Sequence, residues 1–286
     1  MTTVFDDRAC ELGEGPLWHP ERQQLFWFDI MGKQLLTRRG DQQESWTFGE
    51  HVSAAGWVDH DRLLIASETG LWRFDIADGS RELVVALEAD NPVIRSNDGR
   101  ADPWGGFWIG TMGKNAEKAA GAIYRYYRGE LRQLVPGITI SNAICFAPDR
   151  SCAYYTDTTT RRIMRWALEA ETGWPVSEAE TFLDLNDAGL NPDGAVVDAE
   201  GSVWVAQWGA SRIAAYTPDG QFLRACEFPA QHTSCPAFGG PDLSTLYCTT
   251  AREGLDAQAL EAEPRNGMTF ASERAGKGQA EHRVIL

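Results

Sequence analysis

A short β-prone run recurs six times along this chain, and a chain built that way has few folds open to it. The runs are LFWFD at 25–29, LLIAS at 63–67, FWIGT at 107–111, AYYTD at 153–157, VWVAQ at 203–207 and LYCTT at 246–250. Each follows a turn, such as Pro20-Glu21-Arg22 or Pro148-Asp149-Arg150, and before each turn lies another strand. Those earlier strands open near Glu14, Ala54, Asn97, Asn142, Asp193 and Cys235, at intervals of 40, 43, 45, 51 and 42 residues. A third strand follows in most units (GLWRF at 70–74, AIYRY at 122–126, RRIMR at 161–165, RIAAY at 212–216), then a weaker fourth such as ELVV at 82–85. Four strands in about 40–50 residues is the period of a propeller blade. The sequence therefore predicts an all-β fold, a six-bladed β-propeller with four antiparallel strands per blade, as one domain over 1–286. Two stacked sandwiches would leave the sixfold spacing unexplained. Blade six, roughly 234–272, is short of an outer strand, which either residues 2–6 or residues 282–286 could supply.

Composition narrows the partners. Acids outnumber bases 41 to 26, for a formal charge of −15. Phosphate backbones require a basic surface, so this balance argues against nucleic acid and against an anionic membrane face. No 18-residue apolar run is present, as a membrane helix would require, and the acidic start of the chain lacks a basic segment followed by an apolar one. The six cysteines form no C-x-x-C pair, which reads as buried reduced thiols in a cytoplasmic protein. Two insertions, 112–121 and the Glu- and Ala-rich 251–266, both follow the second strand of their blades and should emerge on one face, the latter with a short helix.

The opening residues of the inner strands carry the chemistry. Inner strands line a propeller's central channel, so Glu14, Asn97, Asn142 and Asp193 should meet around one axis, with Ala54 and Cys235 completing the ring. A proline six residues on, at Pro20, Pro103, Pro148 and Pro241, supports this register. Taken singly, Asn97-Asp98-Gly99 and Pro192-Asp193-Gly194 are also turn signals, and Arg95 alone is an ordinary surface arginine. Taken together, two carboxylates and amide oxygens converging on an axis repel one another unless a divalent cation joins them. Oxygen donors suit Ca²⁺, Mg²⁺ or Mn²⁺, with Zn²⁺ and Fe²⁺ also able to accept them. Three protein ligands would leave positions open for water and substrate. Asp29 and Asp157, at equivalent strand ends, either buttress that shell or simply fix the strand ends. The five histidines show no metal-ligand spacing, and no Gly-x-Ser-x-Gly nucleophile motif is present.

The segments LGEGPLW at 12–18, RSNDGRAD at 95–102, GTM at 110–112, ISNA at 140–143, PDG at 192–194 and FGGPDL at 238–243 resemble the regucalcin/gluconolactonase (senescence marker protein) family. The resemblance covers nearly the whole chain, and the combination is specific although each motif alone is weak. It implies one divalent metal at the channel mouth, held by Glu14, Asn142 and Asp193, with Asp193 also the proton acceptor and donor. It further implies Arg95 and Asn97 as substrate-binding residues. A third substrate position maps to Asn115, where some members carry Glu, a departure that suggests a different sugar preference. The implied activity is hydrolysis of a sugar lactone of the gluconate, xylonate, arabinonate or galactonate type. Two alternatives stand beside it: a broader esterase on a related propeller, and a non-catalytic calcium-binding propeller of regucalcin type.

Overall fold

The structure, a computed structural model, describes residues 2–286. Six four-stranded antiparallel sheets run in chain order. Blade one comprises Gly13–His19, Gln24–Asp29, Gln34–Arg39 and Gln42–Thr47, and blade two Val52–Asp59, Arg62–Ser67, Gly70–Asp75 and Arg81–Ala86. Blade three comprises Ile94–Ala101, Phe107–Gly113, Gly121–Tyr127 and Glu130–Ile138, and blade four Ser141–Phe146, Cys152–Asp157, Arg162–Ala167 and Glu180–Asp184. Blade five comprises Asn191–Val197, Val203–Trp208, Arg212–Tyr216 and Phe222–Glu227, and blade six His232–Gly239, Thr245–Ala251 and Thr269–Ser272. Thr2–Asp6 pairs with Thr269–Ser272 as the outermost strand of blade six, so the start of the chain closes the ring.

Side-chain alternation explains the blades. The inner two strands of each blade are buried along nearly their whole length, whereas the outermost strands are mostly exposed; second strands such as Gln24–Asp29, packed on both faces, are mostly apolar, while the innermost strands carry buried polar residues toward the axis. Six apolar clusters fill the six spaces between neighbouring blades. Phe26, Phe28 and Phe74 lie between blades one and two, and Trp18, Trp27 and Tyr247 between blades six and one. Each inner strand touches the inner strands of both neighbouring blades, the last meeting the first.

Asx turns tighten the hairpins that join first and second strands. Asp149 Oδ1 accepts from Ser151 N at 2.9 Å, and Asp198 Oδ1 accepts from Glu200 N at 2.9 Å.

The last residues take a different path from the one that blade closure would need. They cross the channel at the far ends of the inner strands. Gln279 Nε2 donates to Phe146 O at 2.9 Å and to Val197 O at 3.0 Å. Glu281 pairs with Arg100, and Val284 is fully buried with its N–H on Trp57 O at 2.9 Å. The segment 282–286 is therefore part of a cap on one mouth of the channel, which leaves the other mouth as the open one.

Candidate active site at the open mouth of the channel

Register fixes which side chains reach the axis. In every blade one residue pairs with the last residue of the recurring second-strand motif: Gly13 with Asp29, Val52 with Ser67, Ser96 with Thr111, Ser141 with Asp157, Pro192 with Gln207 and Thr233 with Thr250. The next residue is the ring position. It is Glu14, Asn97, Asn142 and Asp193 in blades one, three, four and five, as the sequence predicts. In blades two and six it is Ser53 and Ser234, one residue before the expected Ala54 and Cys235. Neither serine joins the cavity lining. Ser53 Oγ donates to Asn97 O at 2.6 Å, and Ser234 Oγ donates to Gly13 O at 2.5 Å, so both tie one blade to the next.

The inner strands bulge at this position. In the four blades carrying Glu, Asn, Asn and Asp, two inner-strand residues face one residue of the second strand. In the two serine blades a single residue is left unpaired.

All six residues singled out by sequence line one cavity of about 450 Å³: Glu14, Arg95, Asn97, Asn115, Asn142 and Asp193. Glu14, Asn97, Asn142 and Asp193 are buried at its floor, with Arg95 beside them. Asn115 is exposed at the rim, where its Nδ2 donates to Glu117 Oε1 at 3.0 Å.

A hydrogen-bond chain sets the amides. Arg95 Nη1 donates to Asn97 Oδ1 at 2.6 Å, and Asn97 Nδ2 donates to Asn142 Oδ1 at 3.1 Å. Asn142 Nδ2 donates to Thr158 Oγ1 at 2.9 Å, and Thr158 Oγ1 donates to Pro192 O at 2.8 Å. Thr158 thus fixes which end of the Asn142 amide faces the axis. Arg95 Nε is buried without a hydrogen-bond partner among the described residues. Asp157 accepts from Thr139 N at 2.8 Å and Thr159 N at 3.1 Å, and Asp29 accepts from Leu12 N and Glu11 N at 3.1 Å each. Both fix backbone at strand ends.

The floor is crowded with negative charge. Burial pushes the Glu14 carboxyl up to about 8, and nearby Asp98 adds to the effect. Burial and the charge on Glu14 raise Asp193 well above the ordinary carboxylate range. Asp98, whose Oδ2 accepts from Ile144 N at 2.7 Å, is raised by burial to about 6. Buried like charges of this kind favour neutralisation by a proton or by a bound cation. Among the described residues no three His, Cys, Asp or Glu side chains gather into a metal cage. The donor set available is two carboxylates and the Asn142 amide oxygen. Three oxygens with one side open to a cavity fit a hard divalent cation that keeps free coordination positions.

The sequence reading missed Asp98, Lys114, Thr158, Trp208 and Glu253. Asp98 was legible only as part of a turn signal. Met112, Thr158 and Trp208 occupy the same place in blades three, four and five, the residue just after the recurring second-strand motif, and all line the cavity. Lys114 and Glu253 follow close behind on the two insertions, which do share one face. The helix expected in the longer insertion is Ala257–Ala262.

The family described as "SMP-30/Gluconolactonase/LRE-like region" matches residues 12–252. An L-arabinolactonase of Azospirillum brasilense is 35% identical, with 98% of this chain and 94% of that protein aligned. A 6-deoxy-6-sulfogluconolactonase of Pseudomonas putida is 34% identical, with 94% of each aligned. The crystal structure of a calcium-binding protein, regucalcin, from Agrobacterium tumefaciens is 40% identical, covers 99% of this chain and 97% of its own, and superposes with a TM-score of 0.97.

Proposed function

The chain belongs to the SMP-30/gluconolactonase/LRE-like family, and from this premise we propose that it hydrolyses a sugar lactone to the aldonate at the open mouth of the channel. The observation that carries the reading is the floor itself: Glu14, Asn142 and Asp193, buried together beneath a cavity large enough for a sugar ring. These three residues would hold one divalent cation. When bound, the cation supplies Lewis-acid polarisation of the lactone carbonyl and stabilises its developing negative charge. The all-oxygen set suits Ca²⁺, Mg²⁺ or Mn²⁺, and the calcium-binding neighbour supports Ca²⁺ among them.

The side chains divide the remaining work. Asp193 accepts a proton from water as its oxygen adds to the carbonyl carbon. It returns that proton to the ring oxygen as the C–O bond breaks. Beside the bound cation, Asp193 would be held ionised and so ready for the first half of that transfer. Arg95, whose side chain lines the cavity, meets the substrate through its guanidinium. The Asn97 amide is already committed at both ends, so its contribution is to position Arg95 and Asn142 as well as to meet the sugar. Asn115 reaches the ligand from the rim.

The test is proton release from a panel of aldonolactones, with spontaneous opening subtracted. The protein should accelerate at least one lactone, lose that acceleration to a chelator and regain it with a single divalent metal. Asp193→Asn should retain the fold and lose turnover by about 10²-fold or more. If no lactone opens faster than in buffer while calcium still binds, the calcium-binding propeller reading takes over. Faster cleavage of aryl esters than of lactones would favour the broader esterase.

A further inference from the structure

One wall of the cavity is built for something the chemistry at the floor does not use. Glu253 lines that wall from the blade-six insertion, half-buried, and its carboxylate accepts no hydrogen bond from the described residues. Its backbone is nonetheless held firmly. Glu253 N donates to Glu11 O at 2.9 Å, and His232 Nδ1 bonds Glu253 O at 3.0 Å. The His232 ring stacks against Trp208, with centroids 4.2 Å apart and planes 20° from parallel. Trp208 lines the same cavity from blade five. The Trp208 indole and the Glu253 backbone are thus joined through one histidine, while the Glu253 carboxylate, free of hydrogen bonds from the described residues, has Arg95 as its main attractive charge. By contrast, Lys114 on blade three is already paired with Glu68 at 2.6 Å.

Burial orders these groups by depth. Glu14, Asn142 and Asp193 are buried at the floor, whereas Trp208 and Glu253 are partly exposed and stand nearer the mouth. A ligand with its carbonyl at the floor places its more distant ring carbons and exocyclic hydroxyls against that wall. A carboxylate accepts two O–H donors at once through charge-assisted bonds, and an indole face packs on the C–H side of a sugar ring.

We propose that Glu253 and Trp208 form the subsite that reads the lactone's hydroxyls remote from the carbonyl, and so set which sugar is accepted. The inference rests on the lactonase reading above. Glu253 acts as a specificity residue that touches substrate, and His232 is the positioning residue that locks it to Trp208.

The experiment compares a fully hydroxylated aldonolactone with deoxy lactones lacking single hydroxyls. Calorimetric binding of the matching lactams, which are not hydrolysed, provides a readout independent of turnover. Wild-type protein should prefer the hydroxylated partner of at least one such pair by about tenfold or more. Glu253→Ala should raise KM for that lactone by a similar factor, lower kcat far less, and collapse the preference in both kinetics and lactam binding. Glu253→Gln, which keeps the shape, should lie between. Trp208→Leu should weaken every lactam, while Trp208→Phe should restore most of the loss. If Glu253→Ala and Glu253→Gln keep the wild-type preference, the inference is overturned while lactone hydrolysis by the wild type stands. A wild type that opens no lactone instead overturns the parent reading, and this one with it.

Discussion

At the level of single residues, the function of Asn142 depends on a neighbour that sequence did not single out. An amide presents its oxygen to a cation only when its nitrogen is otherwise engaged, and Thr158 Oγ1 engages it at 2.9 Å. Thr158→Val removes that acceptor at nearly constant shape, so Asn142 loses the bond that selects its orientation. Partners of metal ligands are typically worth 10–100-fold in metal affinity, and about that loss is expected on titrating calcium into the chelator-treated variant. An affinity equal to wild type would mean that the Asn97 bond alone orients the amide. Four of the six residues predicted for the site, Glu14, Asn97, Asn142 and Asp193, meet in one cavity because the repeat gave each the same position relative to the axis, and a position shared by four blades outweighs the local turn signals at Asn97 and Asp193; Asn115, in an insertion, was carried by the family resemblance alone. Thr158 and Trp208 were also at a shared position, but a hydroxyl and an indole carry no signature of chemistry until a neighbouring blade places them. Glu253 lies in an insertion outside the repeat, where periodicity says nothing.

At the level of strands, glycines within the bulges let neighbouring blades pack closely. Glu14 and Asp193 are each followed by glycine for a steric reason. A Cβ on Gly15, which has φ +55°, would stand 2.2 Å from Ser53 O, and one on Gly194 would stand 2.3 Å from Cys235 Sγ and 2.8 Å from Cys235 Cα. Such contacts involve backbone or short side chains and cannot be relieved by a rotamer change. Gly194→Ala should cost about 1–3 kcal/mol of stability, the usual range for overpacking, and should displace Asp193. The check is urea denaturation alongside calcium affinity, both of which should fall; a variant as stable as wild type with full affinity would show that blades five and six can separate at no cost. The strands themselves were readable because each hairpin is local and punctuated by Asp or Pro. The inner register in blades two and six was not, because the hairpin between first and second strands differs in length from blade to blade, so the ring position cannot be counted back from the second-strand motif. Strand pairing puts it at Ser53 rather than Ala54 and at Ser234 rather than Cys235.

At the level of the whole molecule, two features act on every blade at once: the closure of the ring and the charge on its axis. Closure depends on Thr2–Asp6, whose Phe5 packs edge-on against Tyr247 at 4.9 Å and Trp27 at 6.0 Å, across the join between blades six and one. Phe5→Ala should lower stability by about 2 kcal/mol or more, as loss of a packed aromatic does, measured by thermal melting. No change would place the closure in the backbone ladder alone. The axial charge makes a sharper forecast. In the metal-free protein Glu14 is raised from 4.5 to about 8, chiefly by burial, and Asp193 is raised in the same direction. A carboxyl that binds its proton more tightly when folded stabilises the fold fully below its unfolded value, and that stabilisation is lost as pH rises through the folded value. Metal-free protein should therefore lose melting temperature steadily between about pH 4.5 and 8. Glu68 works in the opposite sense: burial alone would raise it, but Lys114 and His51 outweigh that and hold it at about 2, so its contribution is present above about 4.5 and lost only as pH falls toward 2. It does not contribute to the decline at neutral pH. Calcium requires the ionised carboxylates, so its stabilising increment should grow over the same interval in which the metal-free protein weakens. Glu14→Gln cannot ionise there, and its metal-free melting curve should vary less with pH, with a much smaller response to calcium. Equal pH slopes for wild type and Glu14→Gln, with calcium adding the same increment to both at every pH, would remove Glu14 from the axial charge and leave the cation without one of its proposed ligands.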